Sequence, residues 1–469
     1  MTTKKGGEQL VSMTANEGRS TSSPTFFRGG IHPDDCKELS AEQAIQLFQP
    51  TSVTVPVTQA LGPPTVPTVT KNEQVRKGQL IALDESSSMP IHAPISGIIK
   101  RIDKAPHPTL VIDQAITIEA AEVDGGDLVF SEDAAWQALK KDEMLERIKN
   151  AGVVGLGGAT FPTFRKLNLP DDAQIDTLII NGSECEPYLT CDYRLMLEEP
   201  HTIIQGAWLI AKIIGVSRCL IGIEDNKSEA AKALKQAIIE ADFADSTYPV
   251  MMDVKVTATR YPQGSEKQLI QALTKKSVPA RGLPMHVGIV VQNVATAYAC
   301  LQAIRYQSPV MDRVVTISGL GITQPGNLRI PVGTPISAII KHCGGIKQTT
   351  VKVLAGGPMM GRALADMNAP ITKGTSGLLF LTGEETNMDS YQPCISCGQC
   401  LDACPLGLEP NRVSQYVEFG RPLETETYGP LECFECGCCS YVCPSNRPLV
   451  QFMQMAKGAY RREAARKNR

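Results

Sequence analysis

The chain has 469 residues, of which 42% are hydrophobic and 20% charged, proportions of ordinary globular proteins that exclude wholesale disorder. At roughly 150 residues per domain this length predicts about three domains. Lys plus Arg number 46 against 49 Asp plus Glu, a net charge of −3, so the basic footprint of a nucleic-acid binder is missing and no nucleic-acid partner is expected.

No segment reaches the roughly 18 uninterrupted apolar residues of a spanning helix. The best stretch, 202–223, is broken by Gln205, Lys212 and Arg218, and no apolar signal core heads the chain. A soluble protein of cytosolic type is expected. Residues 1–24, rich in Ser, Thr, Gly and Lys, read as a flexible tail. Over 25–125, Val53–Val57 alternates like a strand, and Val75–Ala82 and His92–Ile99 flank a polar tip at 84–89. Two such halves resemble the barrel-sandwich fold of lipoyl and biotinyl carriers. Their cofactor-bearing lysine is missing from the tip, which argues against a carrier role.

Residues 130–308 alternate helix and strand patterns. Helices are predicted over Ala134–Ile148, Ile203–Ile214 and Ser228–Ala241, with buried strands at Thr177–Asn181 and Cys219–Ile223. That alternation predicts a largely parallel α/β sheet. Over 311–385, a strand at Val314–Ser318, a turn at Pro325–Asn327, a short helix at Ile336–His342 and a strand at Val351–Leu354 suit a small β-grasp module. The fold expected is therefore multidomain α/β and α+β. The last residues, 456–469, form a basic tail read as a solvated helix.

Nine of the 15 cysteines lie between Cys394 and Cys443. Dense cysteine in one part of a long chain without a secretory signal points to metal rather than disulfides. Two runs match: Cys394, Cys397, Cys400, Cys404-Pro405, and Cys433, Cys436, Cys439, Cys443-Pro444. This is the bacterial two-cluster ferredoxin spacing, in which the fourth cysteine of each run ligates the other cluster. One 4Fe–4S cluster is assigned to Cys394, Cys397, Cys400 and Cys443, and the other to Cys433, Cys436, Cys439 and Cys404, in a domain at 390–455. Zinc also accepts four thiolates, but two CxxC pairs suffice for it and leave the duplicated third and fourth cysteines unexplained. Cys438 is read as a spare thiol, and the other six cysteines as buried small hydrophobes.

A glycine-rich loop at 152–163 lets backbone amides approach a phosphate or a planar ring. Asn181-Gly182-Ser183-Glu184-Cys185-Glu186-Pro187 follows a predicted buried strand, putting two carboxylates where α/β proteins bind ligands. Tyr261–Glu266 and Val291–Thr296 come next. In this order the segments resemble the NADH- and FMN-binding subunit of respiratory complex I, whose motifs have the form GRGGAGFPT, NADESEP, GEE and NNVET.

The resemblance implies that Gly155, Gly157, Gly158, Ala159 and Lys166 line the flavin phosphate and nicotinamide side. It implies that Asn181, Glu184 and Glu186 hold the flavin ring and incoming nucleotide, that Gly264 and Glu266 lie near the nicotinamide, and that Asn293 and Thr296 lie near the flavin phosphate. The sequence departs from the motifs at Leu156, Thr160, Ser183, Ser265 and Ala295, which leaves a decayed or flavin-only pocket as an alternative. No nucleophile–base pair nominates hydrolysis, so no catalytic side chain is expected beyond the cofactors.

Phe27-Arg28-Gly29-Gly30-Ile31-His32-Pro33 heads the barrel-sandwich module, followed by the flavin, β-grasp and ferredoxin modules. The order closely resembles the C subunit of the Rnf (Rsx) complex. That resemblance implies a peripheral subunit on the cytoplasmic face of the bacterial inner membrane, part of a translocase coupling electron flow between NAD(H) and ferredoxin or flavodoxin to Na+ or H+ movement. FMN and two 4Fe–4S clusters would be its cofactors. Membrane and iron–sulfur subunits of the complex would be its direct partners, and ferredoxin or flavodoxin an indirect one. The cobalamin reductase of diol-degrading microcompartments shares the flavin and ferredoxin modules and is a second reading. A non-catalytic electron-wiring subunit is a third.

Overall fold

The computed structural model describes residues 23–83, 89–241, 248–387 and 389–467. The expected tail therefore lies outside the described residues except for Ser23 and Pro24, as does the lysine-free tip except for Met89. Alternation along Ser52–Pro56 buries Val53 and Val55. This strand pairs with Val111–Ala120, which pairs with Gly97–His107, and Gln74–Val75 forms the far edge, all antiparallel. A second ladder, Leu80–Ala82 with Ile91–His92, shares its core of Ile81, Ile99, Ile116 and Ile118. That is the expected barrel sandwich.

The central module holds four strands, all parallel, in the order Met251–Thr257, Arg218–Glu224, Thr177–Asn181, Ile289–Asn293. Numbered along the chain, that order is 3-2-1-4, so the sheet changes direction of growth between Thr177–Asn181 and Ile289–Asn293. Thr177–Asn181, Arg218–Glu224 and Ile289–Asn293 are nearly continuous apolar runs because both faces are covered, whereas the edge strand Met251–Thr257 carries Asp253 and Lys255. Leu178 and Ile180 pack on the helices Pro200–Ile214 and Val294–Tyr306, while Ile179 packs on Leu269 and Ile270 of Glu266–Thr274. Gly206 lets the first two helices touch, since a Cβ there would lie 1.9 Å from the Ala297 carbonyl oxygen. The stretch 202–223 proves to be most of one buried helix, the turn at Gly215 and most of a buried strand. Among the described residues no helix is long and apolar enough to cross a membrane.

Two expected elements differ. In place of one helix over 134–148 there is a short 3-10 turn, Trp136–Ala138, and then a helix at Lys141–Asn150. Asp133 accepts the Ala135 amide at 2.9 Å, Leu139 is extended, and the Lys140 amide donates to Glu143 at 2.9 Å, starting a new helix. The expected turn at 325–327 also moves. Gly326 and Asn327 already belong to the strand Gly326–Pro331, and the chain reverses at 319–325. Asn327 is buried and its side-chain oxygen accepts from Thr316 and Thr190 at 3.0 and 3.1 Å, a role no turn position would offer.

That strand belongs to a six-stranded mixed sheet in the order Ile45–Leu47, Gly326–Pro331, Asp312–Ser318, Gly377–Thr382, Thr350–Ala355, Arg362–Ala363. Its edge is supplied by the N-terminal arm, residues 26–48, before the chain enters the barrel sandwich. The expected basic tail is the continuation of one helix, Leu449–Lys467. Ala456 and Ala459 are buried on that helix, and Lys457 pairs with Glu435 at 2.6 Å.

Candidate functional site

A parallel sheet presents ligands with the carboxyl ends of its strands, most openly where strand order reverses. Asn181 and Asn293 end the two strands flanking that switch point and are partners in register. The glycine loop closes over them. A Cβ on Gly157 would lie 3.3 Å from Asn293, whereas one on Gly158 (φ +106) would meet nothing within 4 Å. Residues 157–159 are exposed, leaving bare backbone facing a crevice. Thr160, where the related motif has glycine, holds φ +51, and its amide donates to the Gly155 carbonyl at 3.0 Å. The conformation that glycine favours is kept without glycine.

Asn293 caps the helix Val294–Tyr306, its Oδ1 accepting the Ala295 amide at 2.8 Å, so that helix start opens beside the loop. Thr296 accepts the Leu156 amide at 2.9 Å and anchors the loop from below. Asn181 donates to the Gly264 carbonyl at 2.8 Å, and Lys166 pairs with Glu266 at 2.5 Å on the rim. The structure thus brings together Gly155, Gly157, Gly158, Ala159, Lys166, Asn181, Gly264, Glu266, Asn293 and Thr296. The bare loop amides, the helix start and Lys166 form a donor set suited to a phosphate and a ring edge, and so fit FMN.

The two acids of the 181–187 loop are engaged internally. Both oxygens of Glu184 accept amides at the start of the helix Cys191–Glu198, from Asp192 at 2.7 Å and Tyr193 at 3.0 Å. Both oxygens of Glu186 accept amides of the β-grasp module, from Met359 and Met360 at 3.0 Å each. Burial pushes the Glu186 carboxyl up to about 7 against these donors. In this structure, then, the carboxylate oxygens of Glu184 and Glu186 are taken up by amides of other elements. A fully buried ammonium holds the loop in shape: Lys37 Nζ donates to the carbonyls of Glu184, Glu186 and Leu189 at 3.1, 2.9 and 2.5 Å.

The structure gathers the eight cysteines of the two runs into two groups. Cys394, Cys397, Cys400 and Cys443 line one pocket. Cys404 instead faces Cys433, Cys436 and Cys439, whose charges act on one another. Amides point at the sulfurs, from Ser396 to Cys394 at 3.4 Å, Glu435 to Cys433 at 3.3 Å and Leu408 to Cys404 at 3.3 Å. Burial pushes the thiols of Cys404, Cys433 and Cys439 up, so a cationic iron core is what would hold them as thiolates. The donor sets fit two 4Fe–4S clusters.

Their surroundings differ. Cys397 is exposed, as are Ile395 (67%), two residues before it, and Tyr441 (56%), two residues before Cys443. Cys436 and Cys438 are buried in one apolar contact with Ile31, Tyr261, Cys185 and Met359. Cys438 is thus buried packing beside a ligand. Of the other six cysteines, Cys191, Cys219, Cys300 and Cys343 are buried, and Cys36 and Cys185 are half-buried.

Sequence reasoning missed several contributors. Asp192 accepts from Asn293 at 2.6 Å beneath the crevice, and burial, followed by the charge of Glu184, raises it to about 7. Arg313 of the β-grasp sheet is buried and donates to the Leu156 carbonyl at 2.8 Å, bracing the glycine loop from behind. Lys37 and Tyr261 complete the group. Each acts across more than 100 residues of sequence, where local pattern carries no signal. The cation gathered among carbonyls by Lys37 was signalled only by a lysine in an otherwise acidic stretch.

Residues 25–123 match the family described as the RnfC barrel sandwich hybrid domain, and residues 148–302 match the Nuo51 FMN-binding domain. Residues 314–363 match the SLBB domain, and residues 393–447 the 4Fe-4S dicluster domain. Three relatives, each the C subunit of its complex, align over most of the chain. That of the proton-translocating ferredoxin:NAD(+) oxidoreductase complex of Clostridium ljungdahlii is 43% identical, covering 93% of this chain and 94% of its own. That of the ion-translocating oxidoreductase complex of Rhodobacter capsulatus is 41% identical, covering 94% and 84%. That of the Na(+)-translocating ferredoxin:NAD(+) oxidoreductase complex of Acetobacterium woodii is 37% identical, covering 92% and 96%. Among solved structures, an NAD+-reducing NiFe hydrogenase in the H2-reduced state superposes with a TM-score of 0.51 at 19% identity, over 68% of this chain and 64% of that one, a likeness of fold.

Proposed function

The chain belongs to the family of C subunits of ion-translocating oxidoreductase complexes, and from that premise we propose that it carries electrons between NAD(H) and the other subunits of such a complex. The complex as a whole would exchange electrons with ferredoxin or flavodoxin while moving Na+ or H+. The chain would sit as a peripheral subunit on the cytoplasmic face of the cell membrane, held there by its membrane and iron–sulfur partners. One observation carries this reading: the open crevice at the sheet's switch point lies in the same module that packs Cys185 and Tyr261 against the second cysteine set.

When bound, a flavin accepts the two electrons of a hydride and releases them singly to one-electron iron–sulfur carriers. The chain's own part is positioning. Gly155, Gly157, Gly158, Ala159 and the helix start at Asn293 and Thr296 would hold the phosphate, with Lys166 supplying charge. Asn181, Gly264 and Glu266 would orient the ring and nicotinamide, and Glu184 would act through Asp192 and Asn293. The burial of Cys436 against the crevice module supports reading the Cys433, Cys436, Cys439 and Cys404 set as the flavin-side cluster. The exposure of Cys397 supports reading the Cys394, Cys397, Cys400 and Cys443 set as the partner-side cluster.

The test is anaerobic. The purified chain is reconstituted with iron, sulfide and FMN, its iron and flavin are counted, and NADH is added while absorbance is followed. About eight irons, one flavin and NADH-dependent bleaching are expected. Eight irons without bound flavin or bleaching would leave a wiring subunit and remove the NADH reaction.

A further inference from the structure

The contact between the crevice module and the second cysteine set has one polar group at its centre. Tyr261 is 2% exposed, and its hydroxyl donates to the Cys436 carbonyl at 2.7 Å. The same hydroxyl lies 3.4 Å from Glu186 Oε1, the carboxylate already bonded to the Met359 and Met360 amides. The backbone of the tyrosine is held on both sides. Its amide and carbonyl pair with Ile31 at 2.9 and 2.8 Å, and a Cβ on Gly30 would lie 2.8 Å from its carbonyl oxygen. Two stretches distant in sequence, the 181–187 loop and the Cys436 loop, therefore meet at one hydroxyl, while the N-terminal arm holds the tyrosine backbone and the β-grasp turn holds Glu186.

We propose that Tyr261 is a positioning residue that couples the 181–187 loop to the cysteine set of Cys433, Cys436, Cys439 and Cys404, through its shared contact with Glu186 and the Cys436 carbonyl. The inference rests on the proposed cluster assignment. Iron–sulfur potentials respond to hydrogen bonding and exposure at the ligands. Groups one layer outside the ligands typically change metal affinity or activity by about 10- to 100-fold when removed. Tyr261 meets both conditions for one set only, because its contact is with the Cys436 loop and not with 394–400.

The experiment uses the full chain carrying Tyr261→Phe, reconstituted anaerobically and titrated with chemical mediators while the cluster signals are followed by electron paramagnetic resonance. The signal lost in a Cys404→Ser chain identifies the Cys433 set. At fixed ambient potential, Tyr261→Phe should change the oxidised-to-reduced ratio of that signal about three- to tenfold, the worth of one net hydrogen bond. The other signal should keep its wild-type ratio. Iron lost from the Cys433 set alone would carry the same assignment. Unchanged ratios at both signals, a shift confined to the Cys394 set, or iron lost equally from both would overturn it. Mediators deliver electrons without NADH or flavin, so failure of the NADH reaction in the wild-type chain would sink the proposed function and leave this test standing.

Discussion

The two cysteine sets share one spacing and have opposite surroundings. In both runs a glycine in the left-handed region precedes a four-residue helix, Gly398 at φ +83 and Gly437 at φ +86, and in both an amide two residues on points back at the first sulfur. Around Gly398 a Cβ would meet nothing within 4 Å, whereas at Gly437 it would meet the Met359 carbonyl oxygen at 2.9 Å. The same cysteine spacing is thus set in two different kinds of packing, and it is the packing that distinguishes the sets.

The largest expected effect breaks the crossed ligand pattern. Cys404→Ser should cost the set of Cys433, Cys436 and Cys439 its cluster, lowering iron from about eight to about four per chain. Iron analysis with resonance spectra checks it, and loss of the Cys394 signal instead would mean each run keeps its own fourth cysteine.

The next concerns the seam between the barrel sandwich and the crevice module. Burial, followed by the charge of Lys373, holds His92 down at about 3 against an ordinary 6.5, and its Nδ1 has no hydrogen-bond partner among the described residues. Folded His92 stays neutral where the unfolded chain protonates, so its stability contribution is full above pH 6.5 and is lost as pH falls below it. The loss is about 1.4 kcal/mol per pH unit, or about 2 kcal/mol by pH 5. Lys373, lowered by burial to about 7, is protonated in folded and unfolded chains alike below that value and adds little slope there. Thermal unfolding midpoints should fall between pH 6.5 and 5 in the wild-type chain and fall less in His92→Leu. Equal slopes would move the acid sensitivity elsewhere.

A smaller contrast sharpens the comparison of the two sets. Gly398→Ala should cost about 1–2 kcal/mol for a left-handed alanine, and Gly437→Ala should cost that plus about 1 kcal/mol or more for displacing Met359. Denaturant midpoints of the reconstituted pair measure the difference, and equal losses would mean the β-grasp turn yields freely.

The smallest concerns the rim. Lys166→Met removes a pair that is 29% and 45% exposed, so stability should change by no more than about 1 kcal/mol. FMN affinity should nevertheless fall roughly tenfold if Lys166 faces the phosphate, as fluorescence quenching would show.

The eight ligand cysteines, the glycine loop and the buried strands were legible because each is a short-range pattern, in which thiol spacing, left-handed backbone and apolar runs follow from nearest-neighbour geometry. The helix expected at 134–148 and the turn expected at 325–327 were misplaced for a related reason. Asp133 and the buried Asn327 are ruled by hydrogen bonds rather than by periodicity. The partners of Glu184 and Glu186 were not legible, since the amides that occupy their oxygens belong to other elements.

By itself, then, the sequence determined the four modules, the parallel sheet and the two matched cysteine runs. Tertiary structure alone decided that the arm at 26–48 would cross three of those modules, placing Lys37 under one loop and Ile31 against Tyr261. It alone buried Cys404, Cys436 and Cys439 of one set and left Cys397 of the other exposed. The physical reason is range: chain geometry and side-chain type act over a few residues, whereas burial and hydrogen-bond partners are settled only when segments hundreds of residues apart compete for the same volume.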